Sequence, residues 1–150
     1  MNKKFELLLD DTITVFGIKL FRVKALISFG NVEEGELGGY VEKESNLSHD
    51  FNAWVSGDAR VSGNARVSGD AEVSGNAWVS GDAWVSGNAR VSGNAWVYGN
   101  ARVSGDARVS GDAEVYGNAW VSGDAEVYGN ADYIVFKNNW SSGRYFIYTK

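Results

Sequence analysis

The chain has 150 residues, one domain's worth of protein, with 14 Lys and Arg against 19 Asp and Glu; the net charge of −5 argues against a general nucleic-acid-binding surface. It has no Cys, which excludes disulfides, thiolate metal sites and a Cys nucleophile. No stretch approaches the ~18 apolar residues of a membrane span, and MNKKFELLLDDT holds too short an apolar run for a signal peptide, so a soluble intracellular protein is expected.

Residues 1–38 differ in composition from the rest of the chain. The run TITVFGIKLFRVKAL predicts a hairpin turning near Gly17, with Ile13, Val15, Ile18, Leu20 and Phe21 as its apolar positions. SFGNVEEGELGGYV then leads into the next region, and 1–38 is read as an N-terminal capping β segment.

Residues 39–132 are dominated by a six-residue repeat. Ala recurs at every sixth position from Ala53 to Ala131, Val two residues later from Val55 to Val127, and Gly two residues before Ala from Gly57 to Gly129. The unit is G-[ND]-A-x-V-[SY]. The preceding GGYVEKESNLSHDF keeps the phase loosely, with Val41 and Leu47 in Ala slots. A glycine every six residues excludes a helix. Ala-x-Val has period two, so Ala and Val face one side of a short strand and x the other. Ser-Gly-Asn/Asp is turn chemistry, since Gly and Asn tolerate positive φ. An antiparallel meander fails, because across the turn at Gly57-Asp58 it would set Val55 opposite Arg60 and mix apolar with charged residues on each face. A parallel coil stacks Val on Val and Ala on Ala with every x outward, so an all-β solenoid is expected. Residues 133–150, DYIVFKNNWSSGRYFIYTK from Asp132 on, predict an aromatic C-terminal β-hairpin, with strands near 132–137 and 144–149 around a turn at 138–143.

V-S-G-N-A-R resembles the hexapeptide repeat of left-handed parallel β-helices, with an aliphatic residue first and a small one fifth. That resemblance implies three hexapeptides, or 18 residues, per coil and about five coils. The x residues then fall into three columns. The first is Trp54, Glu72, Arg90, Arg108, Glu126; the second Arg60, Trp78, Trp96, Glu114, Asp132; the third Arg66, Trp84, Arg102, Trp120. The first pairs opposite charges and is read as a solvated face. In the second, Trp78 stacks beneath Trp96, with Tyr98 and Tyr116 beside them in the Ser slot. The third alternates Arg and Trp, as cation–π stacking requires. Outward Trp, Tyr and Arg are the residues of interface hot spots. The candidate protein-binding set is therefore Arg66, Trp78, Trp84, Trp96, Tyr98, Arg102, Tyr116 and Trp120.

The motif string K-x-L-F-R-V-K-A-L-x-x-F-G-N-V-x-x-G-x-L-G-G-Y-V, the repeats, and F-K-N-x-W-S-S-G-R-Y-F together resemble a group of phage and prophage accessory proteins. The resemblance implies a place in the cytoplasm of a bacterial host cell and a host or defence protein as partner, inhibited by steric occlusion in the manner of an anti-CRISPR protein. Hexapeptide β-helices are also known as trimeric acyltransferases, with a catalytic His and loops that interrupt the coils. Here the repeat runs without insertion, and the one His, His49, stands in the Val slot of an irregular early coil without a visible partner, so no catalysis is expected. No metal and no cofactor are expected; Asp106 beneath Asp124 would need water or a cation between them, but the nine-residue calcium signature is missing. The alternatives are a self-assembling structural β-helix (a homo-oligomer being expected in either case), an acidic mimic of DNA, and an acyltransferase.

Overall fold

The structure, a computed structural model, describes residues 3–129 and the backbone of two further strands, Tyr133–Lys137 and Tyr145–Thr149. It is all-β apart from one short 3-10 turn, Glu44–Asn46, and its repeat region is a parallel β-solenoid of about five turns. No helix among the described residues is long and apolar enough to cross a membrane.

Each hexapeptide builds the same three features. Ala and Val point inward, and from Ala53 to Ala113 every one of them is completely buried. Each buried Val contributes ~1.5–3 kcal/mol in gross terms, and only once the neighbouring turns are stacked. The x-Val pair forms a two-residue strand that pairs in parallel with the strand eighteen residues on, as Trp78 with Trp96 and Val79 with Val97. The N–H groups of Trp78, Ser80 and Asp82 donate to the carbonyls of Ala95, Val97 and Gly99 at 2.8–2.9 Å, while Ala83 N–H closes its own turn on Ser80 O at 3.3 Å.

The turns correct one expectation. The glycines from Gly57 to Gly123 have φ of +62° to +71°, but no Asn or Asp among the described residues has positive φ. That is the dihedral pattern of a type II′ turn, which needs left-handed backbone only at its first central residue. Asn therefore serves a different purpose. Nδ2 of Asn64, Asn76, Asn88, Asn94 and Asn100 each donates to Oδ1 of the Asn or Asp eighteen residues later, at 3.1–3.3 Å. An Asp in the earlier position has no such donor, so the Asn/Asp choice decides which rungs are tied along the turn column.

The strands sort into three sheets, one per column of x residues. The N-terminal segment closes the first turn on the second face. β1 (Phe5–Val15) and β2 (Ile18–Ala25) form an antiparallel hairpin, and β3 (Leu37–Val41) pairs antiparallel with β2 and parallel with the strand Arg60–Val61. Val41 lies opposite Val61 and Leu47 opposite Val67, so both occupy Val slots rather than Ala slots; the first turn is twenty residues long instead of eighteen. Gly38 and Gly39 lie against the second turn, where a Cβ would meet Val55 O at 2.4 Å and Ala59 O at 2.6 Å. At the other end, Tyr133–Lys137 pairs antiparallel with the rung Glu126–Gly129, and Tyr145–Thr149 with Tyr133–Lys137, extending the sheet of the first face. Asp132 and the turn at 138–143 lie outside the described residues.

Lys4 plugs the open start of the prism. Its side chain is buried; Nζ donates to Ala53 O at 2.7 Å and Phe51 O at 3.2 Å and lies 4.6 Å from the centre of the Phe29 ring. His49 locks the same corner. Its Nδ1 accepts the Lys4 N–H, its Nε2 donates to Glu44, and its ring stacks on Phe5 at 4.1 Å. Through these contacts it holds the first strand to the first turn.

The nested glycines and the buried lysine can each be tested by substitution. In Gly75→Ala the new Cβ would lie 3.0 Å from the backbone of Gly93, whereas at Gly123 nothing described lies within 4 Å. Both substitutions carry the left-handed penalty of ~1–2 kcal/mol, and Gly75→Ala adds an overpacking cost of ~1–3 kcal/mol; urea denaturation giving equal losses would contradict the nesting. For Lys4, burial lowers the ammonium pKa from 10.5 to about 8 against the attraction of Asp50 and Asp70. The folded state therefore releases this proton before the unfolded chain does, so the group's contribution to stability rises with pH from about 8 towards 10.5. Stability of the native chain relative to Lys4→Met is expected to rise by ~2 kcal/mol between pH 7 and 9.5; a flat difference would contradict the buried ammonium.

Candidate functional site

The outward x residues are held by the same register that fills the core, so the surface columns are as regular as the Val columns. On the second face the order along the sheet is Tyr40, Arg60, Trp78, Trp96 and Glu114. Trp78 and Trp96 meet edge to face, with centroids 5.6 Å apart and planes at 81°, rather than in a parallel stack. Trp96 meets Tyr98 edge-on at 6.1 Å, and Tyr98 stacks flat on Tyr116 at 5.3 Å. The Trp78 Nε1–H donates to Ser62 Oγ at 2.9 Å, fixing that indole. Burial, with Glu114 and Tyr116 adding to it, raises the Tyr98 phenol above its ordinary value, so its hydroxyl stays a neutral donor.

The hairpin adds a residue to this face that the repeat pattern did not reveal. Phe16 lies at the tip between β1 and β2, with φ +50° followed by Gly17 at +79°, the type I′ turn that favours Asn-Gly. A phenylalanine there is strained, and it is 83 % exposed. It stacks on Trp78 with planes 7° apart, and with Trp96 and Tyr98 it borders an apolar groove of about 260 Å³. The signal available in the sequence was a bulky residue in the turn position before Gly17.

The third face is an alternating ladder. Arg66 lies 5.8 Å from the Trp84 ring, and Arg102 lies 5.3 Å from Trp84 and 5.4 Å from Trp120. All four side chains are exposed, Trp120 more than Trp84. Two hollows open along it and share Trp84: one of about 240 Å³ between Trp84, Arg102 and Trp120, and one of about 550 Å³ beneath the Glu44–Asp50 overhang, bordered by Arg66 and Ser68. The His49 hydrogen bond, followed by Lys3, holds the Glu44 carboxyl below its ordinary value.

The first face differs from its expected form. Trp54 does not point into solvent; it is buried under Gly38 and meets Phe29 edge-on at 5.3 Å, so it belongs to the N-terminal cap. Glu72 pairs in register with Arg90, and Arg108 with Glu126. Yet the ion pairs among the described residues are Lys3–Glu44, Arg22–Asp11 and His49–Glu44, none of them in this column. Exposed charges one rung apart gain too little to hold two long side chains in contact. Among the described residues no cluster of three or more His, Asp or Glu is placed to hold a metal ion.

The eight candidate residues thus fall into two groups on different faces: Trp78, Trp96, Tyr98 and Tyr116 on the second, and Arg66, Trp84, Arg102 and Trp120 on the third. Residues 53–69, 59–73, 71–87, 83–99, 95–111 and 107–123 each match the family model described as the YdcK beta solenoid repeat. No curated protein matches the chain. Six tandem matches over the same stretch that forms the stacked rungs make the chain a β-solenoid repeat protein, similar in its repeat to the YdcK beta solenoid.

Proposed function

We propose that the chain is a non-catalytic docking module, a rigid prism that binds a protein partner through the outward ladders of its second and third faces. The observation that carries this reading is the concentration of exposed Trp and Arg in register on the third face, 42 % exposed at Trp84 and 66 % at Trp120. Large indoles at those exposures are costly to leave in water and are the side chains that dominate interface energies. The winding we infer is left-handed with three hexapeptides per turn; the eighteen-residue pairing and the likeness of V-S-G-N-A-R to the hexapeptide β-helices support it. The resemblance to phage and prophage accessory proteins makes a bacterial host or defence protein the partner class, and steric occlusion of its working surface the mode of action in the host cytoplasm.

Self-association is the second reading, favoured by the exposed Trp120 at the last described rung of its sheet. One experiment separates the two. The native chain and Trp84→Ala/Trp120→Ala are compared for partner capture from host lysate and for mass by light scattering, with thermal melting as the folding control. Docking predicts that capture falls at least ~10-fold, the loss expected from removing one hot spot, while mass and melting stay the same. A fall in mass would assign the indoles to self-association, and unchanged capture would remove the third face from the proposal.

A further inference from the structure

On the reading that the ladders dock protein, we infer that the third face takes an acidic segment of its partner, with Arg66 and Arg102 each gripping a carboxylate. Both guanidiniums lie over indole rings, and stacking engages the face of a guanidinium while leaving the N–H groups on its rim available for a bidentate acceptor. Neither has a hydrogen bond or ion pair among the described residues. Arg22 on the second face shows what a structural arginine looks like here: it is bonded to Asp11, Gly38 O and the Tyr40 hydroxyl. Arg66 and Arg102 are pre-ordered by the indoles yet unsatisfied, which lowers the cost of fixing them on a ligand.

Charge in this column is opposite to that of the chain. The chain carries −5, but the third column holds two Arg and no carboxylate, whereas Arg90 and Arg108 on the first face are bracketed by Glu72 and Glu126. The turn column before its strands contributes one acid, Asp82, whose Oδ1 accepts from Asn64; the column after them contributes Asp70, Asp106 and Asp124, of which Asp70 accepts from Asn52 N–H and Asp106 from Asn88 Nδ2. At the Arg66 end, Glu44 is held by Lys3 and His49, and Asp50 closes the hollow with negative charge. A carboxylate-bearing segment is thus directed from Arg66 towards Trp120, and the acidic remainder of the prism disfavours a long polyanion. Neither terminal hairpin extends this sheet, so from the Glu44–Asp50 overhang to Trp120 the face is open among the described residues.

Spacing narrows the ligand. Arg66 and Arg102 are two rungs apart, ~9.6 Å at ordinary strand spacing. In a polyproline II segment, residues i and i+3 lie on one side and ~9.3 Å apart. Carboxylates three residues apart in such a segment would meet both guanidiniums, with the chain crossing Trp84 between them and Trp120 beyond.

The test is calorimetric titration of the full chain with an N-acetylated peptide carrying Glu at every third position and Pro between, alongside its Gln counterpart. The Glu peptide is expected to bind at least ~10-fold more tightly than the Gln peptide, as the loss of charge-assisted hydrogen bonds implies. Raised salt should weaken it. Arg66→Gln/Arg102→Gln should abolish that preference, and Arg90→Gln/Arg108→Gln should keep it, both variants melting as the native chain does. Equal binding of the two peptides, an equal loss in the first-face variant, or tighter binding of an oligothymidylate of the same charge would overturn the inference. No peptide binding, with partner capture still dependent on Trp84 and Trp120, would overturn the acidic ligand and leave docking standing. Capture indifferent to both ladders would instead remove the docking reading itself.

Discussion

Each turn of the solenoid lays the backbones of its glycines against those of the glycines eighteen residues on, so closely that a Cβ at Gly87 would sit 2.8 Å from Gly105 N. The contact does two things at once. It demands a residue that accepts positive φ without strain, and it fixes the height at which the next turn lies. Once the glycines nest, Val must lie on Val and Ala on Ala, and the outward residues must lie on one another. The asparagine bonds reinforce that register from outside the core, rung by rung, where an Asn precedes an acceptor.

The same constraint explains why the free slot can carry function. A two-residue strand cannot choose where its outward side chain points, because its inward partners are already committed. Trp84, Arg102 and Trp120 are therefore positioned by Val85, Val103 and Val121 behind them. Outside the cap, where Trp54 is buried, substitution at the x position changes the surface without touching the core. The second and third faces use this differently. The second is apolar, with indoles meeting edge to face, and is completed by Phe16 from the hairpin. The third alternates cation and indole, and its two guanidiniums have no hydrogen-bond acceptor among the described residues.

Much of this was legible in the sequence, because period two inside a unit and period six between units determine inside and outside before any contact is known. Parallel stacking followed from the failure of the meander to separate Val55 from Arg60. What was hidden depends on contacts that leave the repeat. Trp54 has the slot of an outward residue, but Phe29 and Gly38 of the N-terminal segment cover it. Val41 and Leu47 looked shifted by one slot because the first turn is two residues longer than the others. Phe16 lies about sixty residues from the indole it stacks on, outside any local pattern. The Asn/Asp alternation was legible as turn chemistry, while its ladder role becomes visible only when residues eighteen apart are adjacent.

The fixed letters build the prism, and the free slot writes its surface column by column. The most direct measurement of that claim is partner capture by a variant lacking a single hexapeptide, residues 99–104, with circular dichroism to confirm the fold. Removing one unit leaves every Val and Ala in a valid core slot but moves each later x residue to a different face. The expected result is a folded solenoid that no longer captures the partner; a folded variant that still captures it would contradict the column reading.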